Sequence, residues 1–522
     1  MFLGKARYGE RGRVDLRLIL LIGLAATTLG WAHPGWAQTQ GGFGSSPSSS
    51  STSGSGSSSG SDSTSGGSSG SSSSSTSGQL VTAPAPVSQS AYQGSVANTP
   101  LTPGVRSLSL QDAITEGLRN NLGLILSGQN VSQAGGQKLQ QLQKLLPTVT
   151  GDFREAAQQT NLRAQGLSFP GFPSIIGPFG YTDVRGSLNW SLFNLPAFEN
   201  YLATKHNFQG SRLSLEDSRE LVVLAVGSSY LVCISDESRI TNDQAQVATT
   251  KLSLDQAVAN HEAGTSPQID VLRARVDYQT QQQALIQDQN AFDKDKIALA
   301  RTIGLPLEQK FVLTDQVPFA PLDNIDPATA MKTAHTNRRD FLSLQEQAKG
   351  AKASHTAARA ERLPTVAFAG DYGDIGQTLG HSHGTFDATG TASVPIFEEG
   401  RLRGDAKLAK AQLDTVNARL SDLNEQINAD VRDSLLDLQS AAQQVEVARS
   451  NVLLANESLV EAQERFVNGV ADNLPVTQAQ ASVAQANSQY VSSLYQHNLA
   501  KLELARALGV VQAKVTEYLG GK

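Results

Sequence analysis

Two kinds of hydrophobic spacing alternate along this chain, and each of them occurs twice. From Pro196 to about Glu262, and again from about Glu399 to Val467, nothing breaks a helix, and apolar residues of the second segment recur every three or four positions. Shorter runs between the helical segments alternate apolar and polar side chains, which is the pattern of a strand with two unlike faces. Each half of the chain therefore predicts a long helix, two strands, a second long helix, a glycine turn and a third helix.

The duplication also appears in short motifs at matching places. Leu146-Pro147-Thr148-Val149 returns as Leu363-Pro364-Thr365-Val366, and the glycine pair 264 and 304 returns as the pair 469 and 509. An internal repeat of this length indicates a duplicated architecture. We therefore divide the chain into a signal peptide, a disordered Ser/Gly-rich segment, two repeats with a connector between them, and a C-terminal tail. Their bounds are 1–37, 38–106, 107–304, 305–326, 327–510 and 511–522.

The boundaries of the predicted elements follow from prolines, glycines and capping residues. In the first repeat we expect a helix from Ser107 or Ser109 to about Leu146, a strand from Thr148 to about Thr160, a Pro- and Gly-rich loop over 166–180, and a strand from Thr182 to Leu192. In the second repeat we expect a helix from about Pro327 to Arg362 and strands from Thr365 to about Asp374 and from Thr385 to Ile396.

The two longest helices set the shape of the molecule. Roughly 67 residues of helix extend about 100 Å at 1.5 Å per residue. A helix of that length with one apolar stripe must lie against a neighbour, as in a coiled coil. The turns at Gly264-Thr265-Ser266 and Gly469-Val470-Ala471 then make two long antiparallel helical hairpins.

The alternating strands suit a membrane barrel, in which apolar side chains meet lipid and polar ones line a lumen. The predicted lipid face contains Val184, Leu188, Trp190, Phe386 and Val394. The predicted lumen face contains Asp183, Arg185, Asp387, Thr389 and Thr391. Four strands cannot close a barrel, and open edges are not tolerated in hydrocarbon, so several chains must pool their strands. Three chains would give twelve strands, and a small soluble sheet on a coiled-coil stalk is the alternative.

Composition and charge place the protein outside the cytoplasm and away from nucleic acid. Five basic residues precede an apolar stretch, Leu18 to Leu29, that is too short to span a bilayer, which predicts a secretory signal cleaved after Ala37 or Ala32. No cysteine lies at the end of this segment to carry an N-terminal lipid, so we expect no lipid anchor. The formal net charge is −6, which disfavours nucleic-acid binding. The single cysteine, Cys233, excludes an intramolecular disulfide and is interpreted as a packing residue.

Five motifs in a fixed, duplicated order resemble the TolC family of outer-membrane efflux proteins over about residues 107 to 510. They are the opening Leu110-Gln111-Asp112-Ala113-Ile114 with Asn120-Asn121, the Leu-Pro-Thr strand entries, the strand-to-helix junction Val394 to Arg401, the hairpin tip Arg465 to Ala471, and the Ala-Arg-x-x-Gly helix ends. The resemblance implies a mainly helical chain that trimerises into a twelve-stranded barrel in the outer membrane and an α-helical tunnel through the periplasm. It also implies a passive exit duct for efflux or type I secretion, with no cofactor, served by a periplasmic adaptor and an inner-membrane pump of the RND, ABC or MFS type.

The same resemblance assigns the hairpin turns to the closed periplasmic end and to contact with the adaptor. The residues concerned are Gly264, Thr265, Ser266, Gly469, Val470, Ala471 and Asp472. Some members carry aspartates six and nine residues after the second tip glycine, where this chain has Pro475 and Gln478. An acidic entrance ring of that kind is therefore not expected, and Asp472 remains either a weaker ring or an ordinary solvated carboxylate.

Two further readings of the chain stay open at this point. His381 and His383 could share a metal ion, but no further ligand is apparent apart from Asp371 and Asp374, whose distance is open, and an exposed loop between strands is the preferred interpretation. No catalytic motif appears, so we expect no enzyme. The alternative function of another class is a coiled-coil surface or stalk protein without a pore.

Overall fold

The computed structural model describes residues 89–96, 100–167, 170–171, 173–315, 319–322, 325–468, 470 and 474–519. The predicted signal peptide and most of the Ser/Gly-rich segment lie outside these residues, as do Gly469, Ala471 and Asp472. The described helices are α1 Leu110–Asn120, α2 Leu122–Gln143, α3 Leu195–Glu262, α4 Gln268–Ile303, α5 Pro327–Asn337, α6 Arg339–Ala360, α7 Glu399–Val467, α8 Leu474–Ala507 and α9 Val511–Tyr518. The strands are β1 Arg106–Leu108, β2 Thr148–Asn161, β3 Ile175–Phe193, β4 Phe311–Leu313, β5 Thr365–Gly376 and β6 Ser382–Ser393.

The two long helices have the lengths that the sequence predicts. Helix α3 contains 68 residues and α7 contains 69, and each is followed by an antiparallel partner, α4 and α8. The side chain of Asn194 caps α3 by accepting a hydrogen bond from the Ala197 amide, and Pro196 occupies its first turn. Helix α3 contains a stretch apolar enough to span a membrane, but half of that stretch is buried inside the protein. It is the core helix of the chain.

The first helix of each repeat is interrupted, which the sequence prediction missed. Residues 109–146 form α1 and α2, separated at Asn121, and residues 327–362 form α5 and α6, separated at Arg338. Both residues have extended backbones, with ψ of 130° and 116°. The break at Asn121 is held by its side chain, which accepts from the Gly123 amide and donates to the Tyr92 carbonyl. The two breaks occupy equivalent places in the repeats.

The main sheet is antiparallel in the order β2-β3-β5-β6. Three predicted strand bounds were wrong. Strand β3 begins at Ile175 rather than Thr182, because residues 175–180 of the expected loop continue the pairing with β2 past an irregularity near Gln158. Strand β6 begins at Ser382 rather than Thr385, because its pairing with β5 extends to Gly376. It ends at Ser393 rather than Ile396, because its last partner is Thr365 at the start of β5, so Val394 lies beyond the strand.

The connector and the C-terminal segment contain regular structure that was not predicted. Strand β4 in the connector pairs in parallel with β1, and α9 follows the second repeat. Ordered structure also begins before residue 107, since Gln89–Gln93 form a 3-10 helix whose Tyr92 hydroxyl lies 3.0 Å from Ser218 Oγ. These segments close one core with α1, α3, α4 and α8, which includes Leu108, Val226, Tyr230, Ile303, Phe311, Leu502 and Val511.

Candidate channel-forming surfaces

One face of the main sheet is mostly apolar, with Glu155 and Asp374 as its charged residues near the end away from the helices. The register places Trp190 opposite Phe368 and Tyr372 opposite Phe386, all on the same face. Phe386 is 79% exposed and Tyr372 is 68% exposed. The face contains Val149, Phe153, Val184, Leu188, Trp190, Phe193, Val366, Phe368, Tyr372, Phe386 and Ala392. A large aromatic surface left open by its own chain indicates a partner other than water.

The opposite face of the sheet is polar. The register places Asp183, Arg185, Asp387, Thr389 and Thr391 on this face, as the alternation predicts. The Arg185 guanidinium lies 3.0 Å from Asp183 on its own strand and 2.7 Å from Asp371 on β5. Asp371 also lies on this face. The sequence analysis considered it only as a distant metal ligand for the histidines, although it continues the alternation of β5. The four predicted lipid-face residues within strands and all five predicted lumen-face residues therefore separate onto two faces.

The sheet has two open edges. Among the described residues, β2 pairs only with β3, and β6 pairs only with β5. The outer backbone groups of both edge strands therefore need a partner from outside the chain or water. Since β2 and β6 run antiparallel to each other across the sheet, the free edge of β6 in one copy can pair with the free edge of β2 in another.

The helical layer has open edges as well. Towards the hairpin tips, α3 packs against α4 and α8, and α8 packs against α7, so α4 and α7 are the outer helices. Both outer helices expose apolar side chains at intervals that suit a coiled coil. On α4 these are Ile269, Leu272, Val276, Ile286 and Ile297, and on α7 they are Leu436, Val447, Leu453, Leu454, Val460 and Val467.

The tip of the first hairpin is a tight turn in which two hydrogen bonds converge on one backbone carbonyl group. The Thr265 amide and hydroxyl both donate to the Asn260 carbonyl, at 2.9 Å and 2.8 Å. Gly264 has a φ of +75°, which glycine adopts at little cost. Gly264 and Thr265 are exposed and Ser266 is partly buried, so the predicted turn residues are available at the end of the hairpin.

Only part of the second tip can be described. The Val470 amide donates to the Arg465 carbonyl at 3.0 Å, and the Val470 side chain is 71% exposed. Gly469, Ala471 and Asp472 lie outside the described residues, so their predicted roles at this tip remain predictions.

The two histidines lie at the far end of the β5–β6 hairpin, but only His381 is between the strands as predicted, because β6 already begins at Ser382 and includes His383. His381 Nδ1 lies 3.2 Å from the Thr378 hydroxyl, and His383 is opposite Ile375 in the ladder. Within the part of the chain that the structure describes, no three His, Cys, Asp or Glu side chains lie close enough to hold a metal ion.

Two groups of charged side chains between helices were missed by the sequence analysis. Arg506 on α8 lies 2.7 Å from Asp217 and 3.1 Å from Glu220, both on α3. Burial raises the pKa of both carboxyl groups, an effect that Arg506 opposes. Only the Ala-Arg-x-x-Gly motif, which contains Arg506, gave a signal for this cluster.

The second group lies between α3 and α4. Burial, followed by a hydrogen bond to Asp295, raises the pKa of Asp236 to about 7, and burial with a hydrogen bond to Asp288 raises that of Asp243 to about 6. Arg239 lies between them, 3.8 Å from Asp236 and 3.9 Å from Asp288. Their spacing of three and four residues places Asp236, Arg239 and Asp243 on one helix face, a signal that the sequence did contain.

A sequence profile described as "Outer membrane efflux protein" matches residues 120–305 and 330–510, which together are well over half of the chain. Among characterised relatives, the probable efflux pump outer membrane protein TtgC of Pseudomonas putida is 22% identical over 410 residues, which are 77% of this chain and 83% of TtgC. The outer membrane protein OprJ of Pseudomonas aeruginosa is 24% identical over 336 residues, 60% of this chain and 65% of OprJ.

Solved structures share the fold at low sequence identity. The Campylobacter jejuni CmeC outer membrane channel superposes with a TM-score of 0.68 at 17% identity, covering 78% of this chain and 89% of CmeC. The outer membrane protein VceC of Vibrio cholerae superposes with the same TM-score at 16% identity, covering 77% of this chain and 96% of VceC. The protomer therefore has the fold of these proteins, mainly helical with a four-stranded antiparallel sheet, and the predicted fold class is confirmed.

Proposed function

We propose a mechanism from one premise: the chain belongs to the outer membrane efflux protein family. Its function is that of an outer-membrane exit channel for efflux, and the relatives are named as efflux proteins rather than enzymes. The observation that carries the mechanism is the two-faced sheet with open edges. An apolar face suits lipid, a polar face suits a water-filled lumen, and the edges require other copies of the same strands. A pore-free stalk explains neither the exposed aromatic face nor the segregated charges.

The channel is proposed to be a homotrimer. Four strands per chain give twelve in three copies, and β6 of each copy would pair with β2 of the next to leave no free edge in the membrane. The helical layer supports the same closure, because its outer helices α4 and α7 both expose apolar stripes.

The spacing of those stripes fits an antiparallel seam between copies. Helix α7 runs towards the tips and α4 runs away from them, so α7 of one protomer would lie antiparallel to α4 of its neighbour. Leu436 and Val447 on α7 are 11 residues apart, and so are Ile286 and Ile297 on α4. Equal spacing lets both pairs meet in one register, with Leu436 against Ile297 and Val447 against Ile286. The helices would then enclose a tunnel that continues the barrel lumen.

The remaining parts of the system are proposed from the relatives. TtgC is named as the outer membrane protein of an efflux pump, so we infer a periplasmic adaptor and an inner-membrane pump for this chain as well. The exposed turn at Gly264, Thr265 and Ser266 and the exposed Val470 are the proposed adaptor contacts. The pump would supply the energy and select the cargo. An amino-terminal signal peptide would deliver the chain to the periplasm.

Single-channel recording from the purified full-length protein in planar lipid bilayers tests the channel directly. We expect current steps of uniform size, because identical chains enclose one passage of fixed width. Protein that binds the bilayer without producing steps would refute the duct and favour the stalk. As a control, heat-denatured protein at the same concentration should give no steps.

A further inference from the structure

A largely apolar cavity lies in the helical layer, away from both the sheet and the hairpin tips. Its volume is about 690 Å³, and its walls come mainly from the connector, α7 and α8. A cavity of this size is typical of sites in which proteins bind small organic molecules. Its apolar lining includes Pro321, Leu322, Ile325, Leu435, Leu438 and Ala442.

Helix α8 contributes one buried polar side chain to this cavity. His497 lines the cavity and is fully buried, and neither of its ring nitrogens has a hydrogen-bond partner among the described residues. Its ring packs against that of Phe319, with the two ring centroids 4.9 Å apart. Buried polar groups in folded proteins are nearly always paired, so the unpaired imidazole indicates a partner from outside the chain.

The imidazole of His497 is uncharged at neutral pH. Burial, followed by the charge of Lys501, lowers the pKa of His497 to about 4. A neutral imidazole has one nitrogen that donates a hydrogen bond and one that accepts. A hydroxyl group suits either nitrogen, because it can accept as well as donate. Water would suit this place less well, since apolar walls offer a water molecule few further partners.

The charge of the lining restricts the ligand further. Within the part of the chain that the structure describes, Arg432 is the only charged residue of the lining, and it is exposed. No carboxylate among these lining residues can pair with a cation. A cationic ligand would therefore lose its hydration without gaining an ion pair.

We propose that this cavity is a binding site for uncharged apolar molecules with a hydroxyl group, such as phenols and aromatic alcohols, and that His497 is the residue that pairs with the hydroxyl. The apolar part of the ligand would displace water from the walls around Leu322, Leu435 and Leu438. The proposal goes beyond the exit channel, because none of the lumen-face residues lines this cavity. Leu436, which lines it and is 64% exposed, belongs to the proposed seam, so the next copy would lie beside the ligand.

Equilibrium dialysis of the purified full-length protein with 4-phenylphenol measures this binding. The protein-free side contains the same detergent concentration, so uptake by micelles cancels. We expect saturable binding of one molecule per chain. Biphenyl, which has the same apolar body without the hydroxyl, should bind about five- to tenfold more weakly, because it leaves the imidazole unpaired. Biphenyl-4-ylmethylamine, which is a cation at neutral pH, should show no saturable binding.

Two substitutions test whether the binding takes place in this cavity. Ala442→Trp fills the cavity and should abolish binding. His497→Phe keeps the size of the ring but removes both nitrogens, so 4-phenylphenol and biphenyl should bind it equally. This second variant decides the question if Ala442→Trp does not fold. Leu408→Trp is the matched control, since it enlarges an exposed apolar side chain of α7 outside the cavity, and it should bind as the unaltered protein does.

The proposal is overturned if the unaltered protein shows no saturable binding, which is also the result expected if side chains of the next copy fill the cavity. It is equally overturned if His497→Phe still prefers 4-phenylphenol over biphenyl to the same extent as the unaltered protein. Uniform current steps from the same preparation would show that the channel itself is intact, so a failure of this site is distinct from a failure of the proposed function.

Discussion

Buried carboxyl groups in the helical layer make the stability of the protein depend on pH. Asp236 is almost fully buried, and its carboxyl group faces Asp295 across the interface between α3 and α4. Its pKa of about 7 lies well above the ordinary value of 3.8, chiefly because burial disfavours the charged form. The folded protein therefore keeps a proton that the unfolded chain loses, and stability falls as pH rises from about 4 to about 7.

Asp236→Asn should remove this loss, because the amide stays neutral and can still donate to Asp295. We expect the variant to be more stable than the unaltered protein at pH 8, by roughly 1 kcal/mol or more, and similar to it at pH 4. Melting temperatures measured from pH 4 to pH 8 should be similar for the two proteins at pH 4, and the variant should melt at an increasingly higher temperature than the unaltered protein as pH rises. Asp255→Asn, an exposed change on the same helix, should follow the unaltered curve. If the melting temperatures of Asp236→Asn and the unaltered protein differed by the same amount at every pH, the folded protein would not retain a proton on Asp236.

The cluster around Arg506 predicts a larger effect. Arg506→Met would leave Asp217 and Glu220 buried without their cation, and breaking a buried pair in this way typically costs about 3–5 kcal/mol. Thermal or denaturant unfolding should show a strong loss of stability at neutral pH. Lys410→Met, which removes an exposed pair with Asp414, should change stability little. Equal effects of the two substitutions would contradict the structural role of the buried cluster.

At the scale of elements, each of the two repeats ends with a glycine that packs on the break in that repeat's first helix. Gly304 ends α4 with a φ of +80°, and a Cβ at this position would lie 2.4 Å from Asn120 Cβ, beside the first helix break. A Cβ on Gly509, its counterpart, would lie 2.8 Å from the backbone nitrogen of Arg338 at the second break. The glycine that closes each repeat therefore lets a helix end pack on the interruption of that repeat's first helix.

Gly304→Ala should destabilise the protein far more than Gly264→Ala. Both residues have positive φ, but a Cβ on Gly264 meets nothing within 4 Å. We expect about 1 kcal/mol for the backbone strain at Gly264, and about 3 kcal/mol or more at Gly304, where Asn120 must also move. The comparison of the two melting temperatures checks this. Equal melting temperatures for Gly304→Ala and Gly264→Ala would show that Asn120 can move away from the new Cβ at little cost.

The long elements could be predicted from the sequence, while the contacts that shape them could not. Uninterrupted helical composition fixed α3 and α7 to within a residue of their ends, and alternation assigned Trp190 and Asp183 to opposite sheet faces. The break at Asn121 depends on Tyr92, 29 residues away, so no local pattern shows it. The pairing of β1 with β4 joins residues about 205 positions apart, and short strands with such distant partners carry little periodicity.

At the scale of the whole molecule, the account depends on what covers the apolar face of the sheet. Trp190 lies on that face and can report whether lipid covers it. The other two tryptophans are Trp31 and Trp36, which are both removed by cleavage after Ala37, whereas cleavage after Ala32 leaves Trp36 in the mature chain. Brominated phospholipids should quench the fluorescence of the reconstituted protein, because lipid chains would contact the indole. The Trp190→Phe variant, measured in the same way, gives the emission that does not come from Trp190. Unquenched emission would place this face against protein or water instead.

The assembly of several chains around one passage is the central claim, and the native mass of the particle tests it most directly. Full-length protein extracted from outer membranes in mild detergent should have three times the mass of the processed chain, with no stable monomer. A protein that leaves the cells as a monodisperse monomer in buffer without detergent would contradict the account, because one chain has neither a closed sheet nor a closed helical layer.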